Sequence, residues 1–130
     1  MPVVLVAIGG AFGAAARYVV DGFVAARAAG ASGAAGAFPW GTLVINVSGS
    51  LVLGLLFALA IERDVLPSSI RGPLMIGFLG AYTTFSTLML ESWRLFEDGA
   101  VALALANIVG SSLVGIVAVL VGLTIGRALA

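Results

Sequence analysis

The sequence predicts an all-α membrane protein that forms a single domain over residues 1–130 and crosses the bilayer four times. Of its 130 residues, 62% are hydrophobic and only 9% are charged. The mean hydropathy of +1.22 lies far from that of soluble domains. A helix needs roughly 20 apolar residues to cross the hydrocarbon core, and the chain offers four such segments. We place the spans at about residues 3–26, 40–61, 71–93 and 99–127.

The first span differs from the others because it contains charges, Arg17 and Asp21. These residues are one helical turn apart, so one interpretation is an ion pair that neutralises both within the membrane. The other is that Arg17 lies in an aqueous vestibule and attracts anions. No lysine or arginine precedes position 17, so a cleavable signal peptide is not expected.

Three connectors separate the spans. Residues 28–37 are rich in Ala, Gly and Ser, and they lead into Pro39 and Trp40, which suit a helix start and the membrane interface. Residues 62–71 contain Pro67 followed by two serines able to cap the third span. Residues 93–98 are expected to form a short turn before Gly99.

Missing residue types exclude several functions. The chain has no cysteine, histidine or lysine, so disulfides, thiolate or imidazole metal sites, Ser-His catalysis and Schiff-base chemistry are not available. We therefore do not expect an enzyme. The formal net charge is zero and no basic stripe is present, so a nucleic-acid partner is not expected either. The expected partners are the lipid bilayer and a solute that crosses it.

The arginines outside the membrane are divided almost evenly between its two sides, so they favour neither orientation of the chain strongly. With four spans, Arg63, Arg71 and Arg127 lie on one side and Arg27 and Arg94 lie on the other. Such a split predicts insertion in both orientations and antiparallel pairing. The alternative is that the α-amino group makes the balance four against two and selects a single orientation.

Small residues recur at helical spacing in every span, for example Gly9 and Gly13 in the first and Gly115 and Gly122 in the fourth. Close helix packing is the favoured interpretation of these glycines.

Polar side chains also recur inside the second and fourth spans. Asn46 and Ser50 lie one turn apart on one face of the second span, and Asn107 and Ser111 do so in the fourth. A buried asparagine usually forms a hydrogen bond to a neighbouring helix. In the other interpretation, the amide N–H of Asn46 faces a water-filled path and meets a passing anion.

The third span carries the densest polar run, Gly80-Ala-Tyr-Thr-Thr-Phe-Ser-Thr-Leu88, with no charge from residue 72 to residue 90. Glycine and adjacent β-branched threonines form helix poorly, which predicts a break near residues 80–84. A broken helix exposes backbone groups at mid-bilayer, where a cavity or an ion must satisfy them. The alternative is a continuous helix whose hydroxyls bond to carbonyls four residues earlier.

Four stretches together resemble the Fluc (CrcB) family of fluoride channels. The third-span run Gly77-Phe-Leu-Gly80 with Thr83-Thr-Phe-Ser-Thr87 and the second-span run Asn46-Val-Ser-Gly49 are specific in combination. The first span adds Gly9-Gly10 through Arg17-Tyr18, and the fourth adds a face of small residues. The resemblance covers nearly the whole chain.

The resemblance implies a fluoride-selective channel in the inner (cytoplasmic) membrane that exports fluoride passively and so gives fluoride resistance. It implies an antiparallel dual-topology homodimer with two fluoride pathways. A structural sodium ion would lie at the dimer centre, held by backbone carbonyls of Gly80 and Thr83 from each chain. Arg17 would lie near the mouth of the pathway. The residues assigned to the pathway are Asn46, Thr84, Phe85, Ser86, Thr87 and Ser111.

Two positions depart from the family pattern. Leu88 replaces a second phenylalanine, and Asn107 replaces a tyrosine that is common in the fourth span. One consequence is altered conduction, and another is pairing with a related second subunit that completes the pore. Two other functions compete: a small proton-coupled multidrug exporter and a scaffold without transport activity. The exporter would need a carboxylate in the middle of the first span, where this chain has Arg17.

Overall fold

The computed structural model describes residues 2–129 and contains four helices long and apolar enough to cross a membrane. We name them in chain order the first to fourth spans. Their apolar side chains largely face outward, as expected of helices surrounded by lipid. The prediction of an all-α protein with four candidate membrane spans is confirmed. The spans are Pro2–Ala28, Trp40–Glu62, Ser68–Glu97 and Val101–Leu129.

The connectors are more ordered than their composition suggests. The Ala/Gly/Ser connector contains a short helix, Gly33–Ala37. The indole N–H of Trp40 donates a hydrogen bond of 2.8 Å to the carbonyl of Ala35, which ties this connector to the second span. Pro39 precedes the second span as its N-cap, and Pro67 precedes the third. The predicted serine caps of the third span are not formed, because Pro67 occupies the capping position and Ser68 is already helical.

The third span consists of two helical parts. The first part ends with the helix Leu79–Tyr82, and the second part is the helix Phe85–Glu97. Between them Thr83 (φ −78°, ψ 155°) and Thr84 (φ −148°, ψ 114°) have extended backbones. Two residues in this conformation interrupt the regular pattern of i to i+4 hydrogen bonds.

The predicted turn at residues 93–98 is wrong, because the third span remains helical through Glu97. No residue in this stretch disfavours helix strongly enough to end it earlier. The chain reverses only at Gly99, whose φ of 78° lies in the left-handed region that glycine tolerates. The fourth span then begins at Val101.

Small residues allow the spans to pack closely in two pairs. The first span packs mainly against the first half of the third, and the second packs mainly against the fourth. At Gly13 an added Cβ would overlap the carbonyl of Phe78, and at Gly122 it would overlap the carbonyl of Leu51. Only glycine permits this backbone approach, which is how helices associate in lipid. The packing interpretation of these glycines is confirmed.

Ion pairs hold the chain at one end of the bundle. Arg127 Nη2 lies 2.6 Å from Glu62 Oε1, and Arg71 pairs with Asp64 in the connector before the third span. Within residues 2–129 Arg17 and Asp21 form no ion pair, so that interpretation is wrong. The Asp21 carboxylate instead lies against Gly41 of the second span.

Candidate functional site

A cleft of about 490 Å³ lies among the second, third and fourth spans. Polar groups line it within otherwise apolar walls, and it is open on one side. Such a cavity, with a few convergent polar groups, is the usual form of a small-ligand site. Of the residues predicted to act in transport or ion binding, it brings together Asn46, Gly80, Thr83, Thr84, Phe85 and Ser111.

The Asn46 side chain is paired with the backbone of Thr84. Its Nδ2 donates to the Thr84 carbonyl at 3.0 Å, and its Oδ1 accepts from the Thr84 N–H at 2.7 Å. Thr84 is only 8% exposed, so without Asn46 its N–H would lack water as well as a helical acceptor, whereas its carbonyl, as that of an N-cap residue, also accepts the first bond of the following helix. The Asn46 side chain thus replaces the helical acceptor that the Thr84 N–H has lost. The second hydrogen on Nδ2 is still available to another acceptor.

Backbone carbonyls near the extended segment lose the donors that a continuous helix would supply. In such a helix the N–H of Thr84 would point at Gly80 O, and the N–H of Thr87 would point at Thr83 O. Instead, the first donates to Asn46 Oδ1 at 2.7 Å and the second donates to Thr84 Oγ1 at 3.3 Å. The carbonyls of Gly80 and Thr83 therefore lack helical donors, as do those of Ala81 and Tyr82 between them, which within residues 2–129 receive no backbone hydrogen bond across the extended segment.

The threonine hydroxyls of the run have different partners. Thr83 Oγ1 donates to the carbonyl of Leu79 at 2.9 Å, as the continuous-helix alternative expected of every hydroxyl. Thr84 instead caps the following helix, because its Oγ1 accepts from the Thr87 N–H and donates to Thr87 Oγ1 at 3.0 Å. The helix Phe85–Glu97 therefore begins at a side-chain cap inside the span.

Phe85 and Leu88 both line the cleft but have opposite environments. In the single chain Phe85 is 74% exposed, whereas Leu88 is 6% exposed. The positive edge of the Phe85 ring is thus available to an anion or to another chain. Leu88 contributes only apolar surface to the cleft wall.

Other predicted site residues lie outside this cleft. Ser86 is exposed and Thr87 is half-buried, and both follow the extended segment on the outer part of the third span. Arg17 is half-buried on the first span and does not line the cleft. The single chain does not bring these three residues to the same cavity as Asn46.

A buried hydrogen-bond network joins the third and fourth spans beside the cleft. Asn107 Nδ2 donates to Ser92 Oγ at 2.9 Å, and Ser111 Oγ donates to Asn107 Oδ1 at 3.4 Å. Ser92 was not among the residues predicted from the sequence. Its position was recoverable, because Ser92 and Asn107 are equally distant from the turn at Gly99 and Ala100. Residues at equal distances from the turn of a helical hairpin lie at similar depth.

A second cleft, of about 290 Å³, lies where the first, second and third spans meet. Asp21 and Glu91 both line it. Thr42 Oγ1 donates to Glu91 Oε1 at 2.8 Å, while Glu91 Oε2 is buried without a hydrogen-bond partner. Two carboxylates make this cleft less suitable for an anion than the first one.

Comparison with known proteins places the whole chain among similar sequences. The family model described as "CrcB-like protein, Camphor Resistance (CrcB)" matches residues 4–123. A protein of Magnetococcus marinus named fluoride-specific ion channel FluC is 43% identical over 98% of both chains. Proteins with the same name from Agrobacterium fabrum and Methylococcus capsulatus are 43% and 44% identical over 96% of this chain, covering 95% and 52% of those relatives.

Proposed function

This chain belongs to the CrcB family, and from that membership and the cleft we infer that it is a fluoride-selective channel rather than an enzyme. We propose that it lets fluoride leave the cell passively across the inner membrane and so gives fluoride resistance. The observation that carries this function is the cleft that brings Asn46, Thr84, Phe85 and Ser111 together. Asn46 and Ser111 offer hydrogen-bond donors and Phe85 offers a ring edge, all without a fixed charge, while Thr84 holds the Asn46 side chain in place.

The donor chemistry of the cleft suits fluoride. Fluoride is small and strongly hydrated, so it gives up its water only to hydrogen-bond donors of similar strength. The second N–H of Asn46 and the hydroxyl of Ser111 are such donors, and the edge of the Phe85 ring adds a weak electropositive surface. Because these groups are neutral, the ion is also able to leave.

The rest of the proposed pathway follows the outer face of the third span. Ser86 is exposed there, and Thr87 lies one residue further along the helix. In the single chain this face is directed at lipid, so these residues border an ion pathway only if another chain covers it. Arg17 would act before the cleft, by attracting anions to the aqueous mouth. We assign these three residues to the pathway on that basis.

We propose that a second copy of the chain, in antiparallel orientation, covers that face. The three-to-two split of the arginines supports insertion in both orientations. The exposed polar side chain of Ser86 beside Phe85 supports a protein contact there, because lipid offers a hydroxyl no hydrogen-bond partner. A homodimer satisfies both observations, and a related second subunit is the alternative partner.

A sodium ion fits the backbone of the third span in this dimer. The carbonyls of Gly80 and Thr83 have lost their helical donors to Asn46 and Thr84, and oxygen atoms are the ligands that sodium prefers. Gly80 is exposed, and nothing lies within 4 Å of the position where its Cβ would be, so a second chain has room to approach. The bound ion would supply a fixed positive charge that holds the two chains together.

Anion efflux from proteoliposomes tests the function. Vesicles loaded with potassium fluoride and treated with valinomycin should release fluoride through the reconstituted protein, as followed with a fluoride electrode. Vesicles loaded with potassium chloride are the matched control. Fluoride release no faster than from protein-free vesicles, or equal release of chloride, would contradict a fluoride-selective channel.

A further inference from the structure

The network of Ser92, Asn107 and Ser111 has a direction that hydrogen-bond chemistry determines. Ser92 Oγ lies 2.7 Å from the carbonyl of Leu88, which only accepts, so Ser92 must donate to it. Ser92 is then an acceptor toward Asn107, which turns Nδ2 toward Ser92 and Oδ1 toward Ser111. Ser111 must therefore donate its proton to Asn107 Oδ1.

The last bond of this network is also its weakest. Its length of 3.4 Å exceeds the usual distance of about 2.7 to 2.8 Å between hydroxyl donors and oxygen acceptors. Asn107 is 0% exposed and does not line the cleft, whereas Ser111 does. The proton of Ser111 is thus oriented by a buried residue but held loosely at the cleft wall.

The neighbouring serine shows what Ser111 would do without Asn107. Ser112 also lines the cleft, and its hydroxyl donates to the carbonyl of Ile108, four residues earlier, at 2.7 Å. A serine in a helix commonly forms this bond, and the bond uses the only proton of the hydroxyl. A serine bound in this way has no donor left for an ion.

Resting on the proposed fluoride function, we propose that Asn107 is a positioning residue that keeps the Ser111 proton available to fluoride. Its Oδ1 diverts the hydroxyl from the backbone carbonyl and holds it by a long bond. Fluoride entering the cleft replaces Oδ1 as the acceptor. Asn107 thus takes part in the pathway through Ser111, although it does not touch the ion.

A double-mutant cycle tests this role. Initial fluoride efflux is measured over a range of fluoride concentrations for the wild type, Asn107→Ala, Ser111→Ala and the double variant. Each single variant should raise the half-saturating fluoride concentration about tenfold, the size of one hydrogen bond to a charged group. The double variant should be no worse than Ser111→Ala, because Asn107 acts only through that hydroxyl. Ser112→Ala is the matched control and should leave the concentration dependence unchanged.

Two outcomes overturn the proposal: additive effects that reach about a hundredfold in the double variant, or an unchanged half-saturating concentration in Asn107→Ala. If Asn107→Ala does not fold, Ser92→Ala replaces it in the cycle, because without Ser92 nothing directs Oδ1 at Ser111. The same non-additivity is then expected, and additivity again overturns the proposal. Failure of the wild type to release fluoride would instead refute the channel function itself.

Discussion

Replacing Asn46 with leucine removes the side chain that satisfies the backbone of the extended segment. The variant loses two hydrogen bonds, of 3.0 Å and 2.7 Å, to the carbonyl and N–H of Thr84. Leucine is similar in size and offers neither a donor nor an acceptor. Because Thr84 is 8% exposed, water cannot easily replace the amide.

The expected loss of stability follows from these two bonds. Hydrogen bonds between membrane helices average about 0.6 kcal/mol and reach about 1.7 kcal/mol, which gives about 1.2 to 3.4 kcal/mol for the pair. Leaving a buried backbone group unsatisfied costs about 1 to 3 kcal/mol, so we expect the upper part of that range. Asn46→Leu should therefore lower the free energy of unfolding by about 2 to 3 kcal/mol.

Reversible unfolding in mixed micelles measures this difference. Ser50→Ala is the matched control. Ser50 lines the same cleft one turn further along the second span, but both hydrogen bonds to the Thr84 backbone come from Asn46. The control should change the free energy of unfolding by less than about 0.5 kcal/mol. A loss below about 0.5 kcal/mol for Asn46→Leu would refute the inference that the amide stabilises the extended segment.

Three further predictions concern conduction, packing and topology. Phe85→Ile should suppress fluoride efflux at least about tenfold by removing the ring edge. Phe12→Ile is the control, because Phe12 is similarly exposed on the first span, and it should leave efflux unchanged. Equal efflux in the two variants would refute the role of Phe85. Gly122→Ala should destabilise the protein by about 1 to 3 kcal/mol in the same unfolding assay because its Cβ would overlap the Leu51 carbonyl. Gly110→Ala meets nothing within 4 Å and should be neutral, so similar losses would contradict the close-packing argument. A cysteine in place of Ala35 should react with impermeant reagents from both sides of the membrane, and labelling from one side only would exclude dual insertion.

Much of the fold was predictable because hydropathy and length are properties of local sequence. The apolar segments predicted four spans, and Gly13 and Gly122 predicted close helix contacts. The errors were local. The helix runs to Glu97 because nothing before Gly99 ends it, and Arg17 does not pair with Asp21, whose carboxylate lies against another span.

The candidate site was predictable only in its residue types. The sequence identifies Asn46 and the threonine run as polar groups inside apolar spans. Their hydrogen-bond partners could not be identified in this way, because an amide can reach any of several neighbouring helices. Asn46 forms its hydrogen bonds with the backbone of a residue 38 positions away. Likewise, sequence alone could not show that Leu88 is buried while Phe85, three residues earlier, is exposed.

By itself, therefore, the sequence determined that the chain is a four-span membrane protein, that small residues would pack its helices, and that the third span carries the densest run of polar groups. Only the tertiary structure decided which groups satisfy one another. Asn46 accepts the Thr84 N–H and leaves the Gly80 carbonyl without its helical donor, while Asn107 accepts the Ser111 proton. The physical reason is that membrane insertion depends on the length and hydropathy of each segment, whereas a hydrogen bond needs two groups within about 3 Å of each other, and only the packing of the spans brings them there.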